Sequence, residues 1–350
     1  MDMPSAYGFV DLEHLFARRV NEVAVETITR AIDLTLQEHN RTVSALLSEL
    51  VSRTTTAKER VRVPGQTELQ PLDEWGVPRP TQEYLYVEAG YPIFHAGDAI
   101  GRNRIARALM TVQELNDEIL RIQAEDGRWI KRHLLAAILD NQSYTFVDPQ
   151  YGSLTVNPLA NGDAQVYPFV GGSIGTDNHY LAFSTISDSS NPFRTIYQEL
   201  AEHPGNRLPY VALIANNLRD AVESLASFVP MDDPDIQRAA TQAEVSARFP
   251  TALVDEPLGK VGGVWVGVLR GLPDNYIIAF ARGESIVRMR ELPAPELQGL
   301  VRDEIREGNI EHLRFYRSAG FGVWNRTGAV AVYVGGTTYQ VPAGYDAPLG

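Results

Sequence analysis

The organisation of this chain is set by residues 111–140, which read TVQELNDEILRIQAEDGRWIKRHLLAAILD. Apolar side chains recur there at spacings of three and four, the period of a helix with one buried stripe: Val112, Leu115, Ile119, Ile122, Trp129, Ile130, Leu134, Ala137 and Ile138. Thr111 precedes Glu114 at the spacing of a capping box. The stretch predicts one helix, roughly 45 Å long at about 1.5 Å per residue, that lies as a beam under a sheet. Gly127 marks either a bend or a tolerated surface glycine.

The composition is that of an ordinary soluble globular protein. The chain has 350 residues, 44% of them hydrophobic and 21% charged, which is enough for two or three structural units with a sizeable core. The longest apolar run, residues 261–269, is far shorter than the roughly 20 residues of a membrane helix. Residues 1–10 lack the basic and apolar regions of a secretory signal, so we expect a cytoplasmic protein. The absence of cysteine excludes disulfides, thiolate nucleophiles and Cys-ligated zinc.

The charge and the histidines argue against further classes of site. A formal net charge of −13 repels phosphate, and no cluster of lysine and arginine offsets it, so a DNA-reading protein is not expected. The histidines stand at positions 14, 39, 95, 133, 179, 203 and 312, and none has a second histidine at helical metal-site spacing. We therefore predict no metal, no cofactor and no catalytic residue, and assign each histidine a surface or satisfied structural role. A His–carboxylate pair formed only in three dimensions stays open.

Residues 11–53 are helical in character. A break at His39-Asn40 separates two apolar stripes, which comprise Val20, Val23, Ala24, Ile28, Ala31, Ile32 and Leu36, then Val43, Leu46, Leu47 and Leu50. Two interpretations stay open. The segment is either an arm that lies on another subunit or a helical pair packed on its own domain.

Residues 60–101 differ sharply, because prolines at 64, 71, 78, 80 and 92 exclude a helix. The alternation in residues 83–88 predicts a strand, and residues 60–63 are its expected partner. The turn-rich connection 64–80 is unusually long for a compact domain and carries apolar side chains, which favours a projecting loop that contacts a partner. The candidate subunit-contact residues are Leu69, Leu72, Trp75, Arg79, Tyr84 and Tyr86.

The rest of the sequence alternates short strands with helices. A helix begins at Asn191-Pro192, an N-cap followed by proline at the first helical position, and Asn216-Asn217 caps another. Residues 171–176, GGSIGT, lack the Gly-Lys-Ser/Thr ending of a phosphate loop and predict a turn. Residues 261–269 and 276–281 predict a strand pair joined by the turn 271–275. Further strands are predicted over 144–147, 153–156, 165–169, 208–215, 286–291, 312–318 and 320–334.

Two local stretches carry a resemblance to a known family. Residues 271–280 read GLPDNYIIAF, and residues 317–330 read RSAGFGVWNRTGAV. Both are similar to segments of the tailed-bacteriophage major capsid proteins, whose fold is named after phage Hong Kong 97 and is shared with encapsulins. The resemblance implies an α+β, Hong Kong 97-like capsid fold. It also implies a structural protein that assembles as hexamers and pentamers into the icosahedral head of a tailed double-stranded DNA phage.

The resemblance also implies a domain layout. It assigns 1–59 to an N-terminal helical arm, 60–101 to an extended E-loop hairpin, 102–170 and 284–334 to a peripheral (P) domain with the spine helix 111–140, 171–283 to an axial (A) domain, and 335–350 to an extended tail. The implied partners are other copies of the chain, with scaffolding, portal and decoration proteins as further candidates. DNA is enclosed without sequence-specific binding, no membrane is involved, and the protein belongs to a virion assembled in the bacterial cytoplasm.

In some members of the family, Lys–Asn isopeptide bonds cross-link the subunits of the shell, and these bonds need an E-loop lysine. Residues 61–90 contain no lysine, and Lys58 stands only at the base of the loop. We therefore predict a shell without covalent links. Because no scaffolding extension is visible before the arm, we expect a separate scaffold, or the arm itself, to guide assembly.

Two rival functions stay open. An encapsulin-type shell that holds a cargo enzyme has the same fold, and fold alone does not separate the two. The second rival is a two-domain α/β enzyme with its site in a cleft. The titratable candidates for such a site are scattered and match no catalytic signature: Asp98, His133, Asp140, His179 and Asp188.

Overall fold

The computed structural model describes residues 17–63, 74–76, 85–231, 249, 251, 253–283, 285–307 and 310–349. The chain forms two compact units. The first comprises Met1–Ala45, Ile93–Lys131 and Glu291–Ala319, and the second comprises Leu46–Pro92, Arg132–Arg290 and Gly320–Gly350. Each unit is therefore built from separate parts of the chain. The finer division into arm, E-loop, P-domain, A-domain and tail stays a prediction.

The described residues form short and long elements in a mixed order. The helices are α1 (Val25–Leu47), α2 (Arg104–Leu109), α3 (Val112–Leu139), α4 (Pro192–Ala201) and α5 (Arg219–Glu223). The strands are β1 (Val51–Thr54), β2 (Lys58–Val63), β3 (Leu85–Gly90), β4 (Phe94–Asn103), β5 (Tyr144–Asp148), β6 (Gly152–Val156), β7 (Tyr167–Pro168), β8 (Ile174–Gly175), β9 (Tyr180–Phe183), β10 (Tyr210–Ile214), β11 (Phe228–Pro230), β12 (Glu256–Val261), β13 (Val264–Val268), β14 (Tyr276–Ala281), β15 (Val287–Glu291), β16 (Leu300–Glu307), β17 (Ile310–Val323) and β18 (Ala329–Val334).

The first unit packs two helices against an antiparallel sheet. Strand β17 pairs with β16 on one side and with β4 on the other. The apolar core joins α1, α3 and these strands through Ile32, Leu36, Ile100, Ile119, Ile122, Leu300 and Phe315. Of the two interpretations of residues 11–53, the described part of α1 therefore supports packing on its own unit. Residues 1–16 lie outside the described part of the chain.

The predictions for the N-terminal region were wrong at two places. Helix α1 runs unbroken through Asn40, whose side chain exchanges hydrogen bonds with the backbone of Leu300, at 3.1 Å to its carbonyl and 2.8 Å from its amide. These tertiary bonds offset the weak helix propensity of asparagine. The helix then ends at Leu47, and β1 pairs in parallel with β15, where the sequence predicted helix as far as Arg53.

A buried charged group, which we call the Asp126 cluster, ties α1, α3 and β17 together. Arg317 donates a bidentate pair of hydrogen bonds to Asp126, from Nε to Oδ1 and, at 2.7 Å, from Nη2 to Oδ2. His39 Nε2 lies 2.7 Å from the same Oδ2, and Arg317 Nη2 donates to Asn40 Oδ1 at 3.0 Å. Although burial opposes ionisation, hydrogen bonds from His39 and Arg317 hold the pKa of Asp126 below its usual range.

The long helix predicted over 111–140 is confirmed as α3. The Thr111 amide donates to Glu114 Oε2 at 2.9 Å, and the Glu114 amide donates to Thr111 Oγ1 at 3.2 Å, so the capping box is formed as the spacing predicted. Gly127 lies inside an uninterrupted helix, and a Cβ there would meet nothing within 4 Å among the described residues. The interpretation as a tolerated glycine fits this position.

The second unit is organised by a seven-stranded sheet of order β11-β12-β13-β10-β14-β18-β9. Every residue of β10 and β14 is buried. Helix α4 begins as predicted, with the Phe193 amide donating to Asn191 Oδ1 at 3.0 Å, and Phe193, Ile196 and Leu200 are fully buried. An all-apolar centre of this kind is stabilised by the burial of apolar surface away from water.

The prediction that residues 261–269 and 276–281 pair with each other was wrong. The first stretch turns at Gly262 and Gly263, whose φ values of 56° and 94° favour glycine. It therefore divides between β12 and β13. Strand β10 lies between β13 and β14, parallel to the first and antiparallel to the second.

The C-terminal strands also differ from the prediction. The sequence predicted strands over 312–318 and 320–334, whereas β17 runs unbroken to Val323 and the chain turns before β18. Gly322 is required inside β17, because a Cβ there would lie 2.8 Å from Tyr91 Cδ1 and 3.0 Å from the Gly90 carbonyl oxygen. A glycine at this position therefore allows β17 to approach the end of β3 closely.

Candidate functional site

The candidate contact surface is the two-stranded ribbon formed by β2 and β3. The strand predicted over 60–63 is observed, as is the described part, 85–88, of the strand predicted over 83–88, with Lys58 opposite Gly90 and Val63 opposite Leu85. The Arg60 guanidinium carbon lies 4.2 Å from the centroid of the Tyr86 ring, a cation–π contact. Tyr86 is 46% exposed. The ribbon therefore presents an aromatic ring and a cation together to its surroundings.

The structure places two of the six candidate contact residues. Trp75 is 82% exposed and, like Tyr86, leaves a large apolar surface in water. Leu69, Leu72, Arg79 and Tyr84 lie outside the described residues. The assignment of all six to subunit contacts stays a prediction.

A buried polar group fixes the base of the ribbon to the rest of the second unit. Tyr91 is fully buried, and its hydroxyl donates to Glu59 Oε2 at 3.2 Å, while Arg288 Nε donates to the same oxygen at 3.2 Å. Burial, together with the charge of Glu59, raises the pKa of the Tyr91 hydroxyl. At Gly90, a Cβ would lie 2.7 Å from the Thr155 carbonyl oxygen. These contacts therefore hold the base of the ribbon in place.

Lys58 lies at this base and is paired within the ribbon. Its Nζ lies 2.7 Å from Glu88 Oε2, and Arg60 lies 4.0 Å from the same carboxylate. The hydrogen bond from Lys58 lowers the pKa of Glu88.

The His–carboxylate grouping that the sequence left open is present at positions 179 and 203, which come together with Asp177. His179 Nε2 and His203 Nε2 lie 3.1 Å apart, and each lies 2.7 Å from Asp177 Oδ2. Glu199 and Glu202 offer carboxylate oxygens within 4.8 Å of the Asp177 carboxylate. Burial, with Glu202 nearby, raises the pKa of Glu199 to about 7. We call these five residues the His179 cluster.

The sequence carried only weak local signals for this cluster. They were residues 177–179 (DNH) and residues 199–203 (ELAEH). Neither is a complete metal-ligand motif, and only the tertiary fold brings them together.

The titratable candidates for an enzyme cleft have separate partners. Asp98 lies 2.9 Å from Arg121, and Asp188 accepts a hydrogen bond from the Ala226 amide. Asp140 accepts from the amides of Gln142 and Ala347. Burial lowers the pKa of His133 to about 4, and His179 belongs to its own cluster. This arrangement gives no support to a shared catalytic constellation.

Comparison with known proteins gives structural but not sequence relatives. No profile of a known protein family matches the sequence, and no curated protein matches it. Among the described residues, no helix combines the length and hydropathy needed to cross a membrane.

Solved phage structures share the fold over most of their length. A chain of Mycobacterium phage Patience is similar at 19% identity and a TM-score of 0.70, with 98% of this chain and 97% of that one covered. A chain of the bacteriophage PhiM1 mature capsid gives 8% identity, a TM-score of 0.52 and coverage of 83% and 86%. A chain of the Cyanophage P-SCSP1u capsid gives 10% identity and a TM-score of 0.51, with 82% of this chain and 86% of that one covered. The chain therefore has the α+β fold of tailed-phage capsid proteins, the Hong Kong 97 fold.

Proposed function

We propose that this chain is the major capsid protein of a tailed double-stranded DNA bacteriophage and that its role is structural, not catalytic. The observation that carries the proposal is the similarity to the chain of Mycobacterium phage Patience over 98% of this chain. Chains of the PhiM1 and P-SCSP1u capsids share the fold. The proposed product is an icosahedral shell of hexamers and pentamers, assembled in the host cytoplasm and carried in the virion. A scaffold, a portal and decoration proteins are its proposed partners.

The β2–β3 ribbon, together with Trp75 in the connection between its two strands, supplies the proposed contact between subunits. Trp75 and the Arg60–Tyr86 pair are large exposed groups of the kind that dominates interfaces when it is buried. A subunit held by its ribbon and by other edges is attached at several points, which multiplies weak affinities. Within the proposed layout, the ribbon belongs to the E-loop and α3 is the spine of the P-domain.

The proposed shell is held without covalent links between subunits. Residues 61–90 contain no lysine, and Lys58 is already paired with Glu88 at 2.7 Å. Particles boiled in SDS should therefore run as the single chain of 38.8 kDa. Bands at multiples of that mass that resist boiling would contradict the prediction.

The net charge of −13 supports a wall that encloses DNA without binding it. The purified subunit should not bind duplex DNA at physiological salt. Tight binding under those conditions would contradict this part of the proposal.

Light scattering after size-exclusion chromatography, followed by negative-stain microscopy, tests the function. The expressed chain, alone or with its scaffold, should give megadalton icosahedral particles. A monomer or small oligomer under both conditions would overturn the proposal.

A paired variant tests the ribbon. The double variant Trp75→Ser and Tyr86→Ser should remain folded by circular dichroism but lose at least half of its particle yield. Tyr151→Ser is the control, because it removes a ring of the second unit that is 52% exposed but lies outside the ribbon. An equal loss in both variants would refute a special role for the ribbon.

A further inference from the structure

The imidazoles of the His179 cluster direct their Nε2 atoms toward one another and toward Asp177. His179 Nδ1 lies 2.7 Å from the Ala329 carbonyl oxygen, and His203 Nδ1 lies 3.0 Å from that of Pro168. Because a carbonyl oxygen only accepts, each Nδ1 carries the proton of its ring, and each neutral ring has an unprotonated Nε2. Both Nε2 atoms lie 2.7 Å from Asp177 Oδ2. With both rings neutral, two imidazole nitrogens and a carboxylate oxygen therefore offer their lone pairs to one point.

The rings are held in this arrangement by the fold. His179 is fully buried and His203 is 3% exposed. Their carbonyl partners belong to β18 and β7, so both rings are oriented by strand backbone. Histidines that bind metals almost always donate the second ring N–H to an acceptor of this kind, which fixes the tautomer and the direction of the ligating nitrogen. The geometry is that of a prepared pair of ligands.

We propose that Asp177, His179 and His203 bind one divalent transition-metal cation of the zinc class, with Glu202 as the fourth ligand. Glu202 Oε1 lies 3.9 Å from His203 Nε2. A ligand set of two imidazole nitrogens and carboxylate oxygens suits zinc, whereas magnesium and calcium prefer oxygen alone. A dication also neutralises the negative charge that Asp177, Glu199 and Glu202 bring together.

The proposed cation connects two segments of the second unit. Asp177 and His179 lie directly before β9, the edge strand of the seven-stranded sheet, and His203 follows α4. A bound ion would fix the edge strand to the end of the helix. Since no ligand set exists in the unfolded chain, the binding free energy would add to folding stability. This inference does not depend on the proposed shell function.

Zinc titration of the purified, chelator-treated full chain tests the proposal. After dialysis against zinc chloride and then against buffer, elemental analysis should find one zinc per chain. At a free zinc concentration about 100 times the dissociation constant, Tm should rise by roughly 4 °C. Magnesium chloride should give no rise. Failure of the unaltered chain to retain zinc, or an equal rise with magnesium, would overturn the proposal.

Two variants separate a metal site from a protonated histidine pair. Asp177→Asn keeps the acceptor for the Asn178 amide and offers an N–H to the ring nitrogens, so it should lose zinc retention without losing Tm in chelator. Asp163→Asn is the control, because it removes another carboxylate of the same unit, which lies 2.7 Å from Arg326. It should lower Tm but keep the zinc-induced rise. If Asp177→Asn lowers Tm in chelator and zinc does not stabilise the unaltered chain, the cluster is an ion pair and the proposal fails.

Discussion

The Asp126 cluster and the β10–β14 centre of the seven-stranded sheet hold their units together in different ways. In the first, Asp126 and Arg317 are 6% and 2% exposed, and charge is buried against charge. In the second, Phe280, Ile277 and Leu213 are fully buried among apolar neighbours. A buried ion pair contributes only while it is complete, because either partner alone is a buried charge without compensation. Apolar burial has no such condition and does not depend on pH.

The largest effect is expected from truncation in the sheet. Phe280→Ala should cost about 4 kcal/mol of unfolding free energy in the second unit, since it removes transfer free energy and leaves a cavity. Hydrogen exchange across a urea series, read on peptides from β14, measures this loss at pH 5 and pH 7. The conservative control, Ile278→Val, should cost about 1 kcal/mol. A loss for Phe280→Ala that differs between pH 5 and pH 7 would show that the apolar centre is not independent of pH.

Breaking the Asp126 cluster should cost nearly as much in the first unit. Asp126→Asn leaves Arg317 buried without a counter-charge, so we expect a loss of about 3 kcal/mol. The same exchange experiment measures it on peptides from residues 112–131. The control is Glu118→Gln in the same helix, where the carboxylate pairs with Arg102 and Arg121 at a partly exposed site, and the loss should stay below about 1 kcal/mol. Equal losses in the two variants would show that burial of the pair is irrelevant.

Acid should weaken the first unit through Asp126. Its pKa in the folded chain lies below the ordinary value of 3.8, so the folded state binds this proton more weakly than the unfolded state. The stabilisation is therefore complete above pH 3.8 and is lost as pH falls through the lowered pKa. In the unaltered chain, exchange in residues 112–131 should accelerate over this range beyond its intrinsic pH dependence, by less than the full effect of Asp126→Asn. The Asp126→Asn chain should lack this component, and its persistence would assign the acid sensitivity elsewhere.

The smallest expected effects come from a pair of glycines in the first unit. Gly299 has φ +80°, and a Cβ there would lie 2.7 Å from the side chain of Asn40, so Gly299→Ala should cost roughly 1–2 kcal/mol. Gly127→Ala in α3 meets open space among the described residues and should add up to about 1 kcal/mol. Thermal unfolding of the two variants should shift in opposite directions. A shift in the same direction would show that the contact with Asn40 does not constrain the first unit.

Much of the local structure was predictable, because its causes are close together in the chain. The apolar period and the Thr111–Glu114 capping box determine α3, and the Asn191 cap determines the start of α4. The stretch 271–280 was expected to form a turn and a strand, and β14 follows the turn in which Asn275 has φ 71°. The same stretch carried the resemblance to the capsid fold, which the solved phage structures confirm. Two of the six candidate contact residues, Trp75 and Tyr86, are placed on exposed positions, while their role stays a prediction.

The sequence by itself determined α3, the start of α4 and many of the strands, since periodicity and capping act between residues a few positions apart, and its resemblance to a known family indicated the fold class. The cap predicted at Asn216-Asn217 was wrong, because neither the turn Asn216–Leu218 nor α5 has a side-chain cap. Only the tertiary structure decided which distant groups meet. It placed β10 between β13 and β14, joined Asp126 to Arg317 across 191 positions, and brought His179 to His203 across 24. Strand order and charge pairing depend on the packing of the whole chain, and the side chains involved look the same in the sequence whether or not they have a partner.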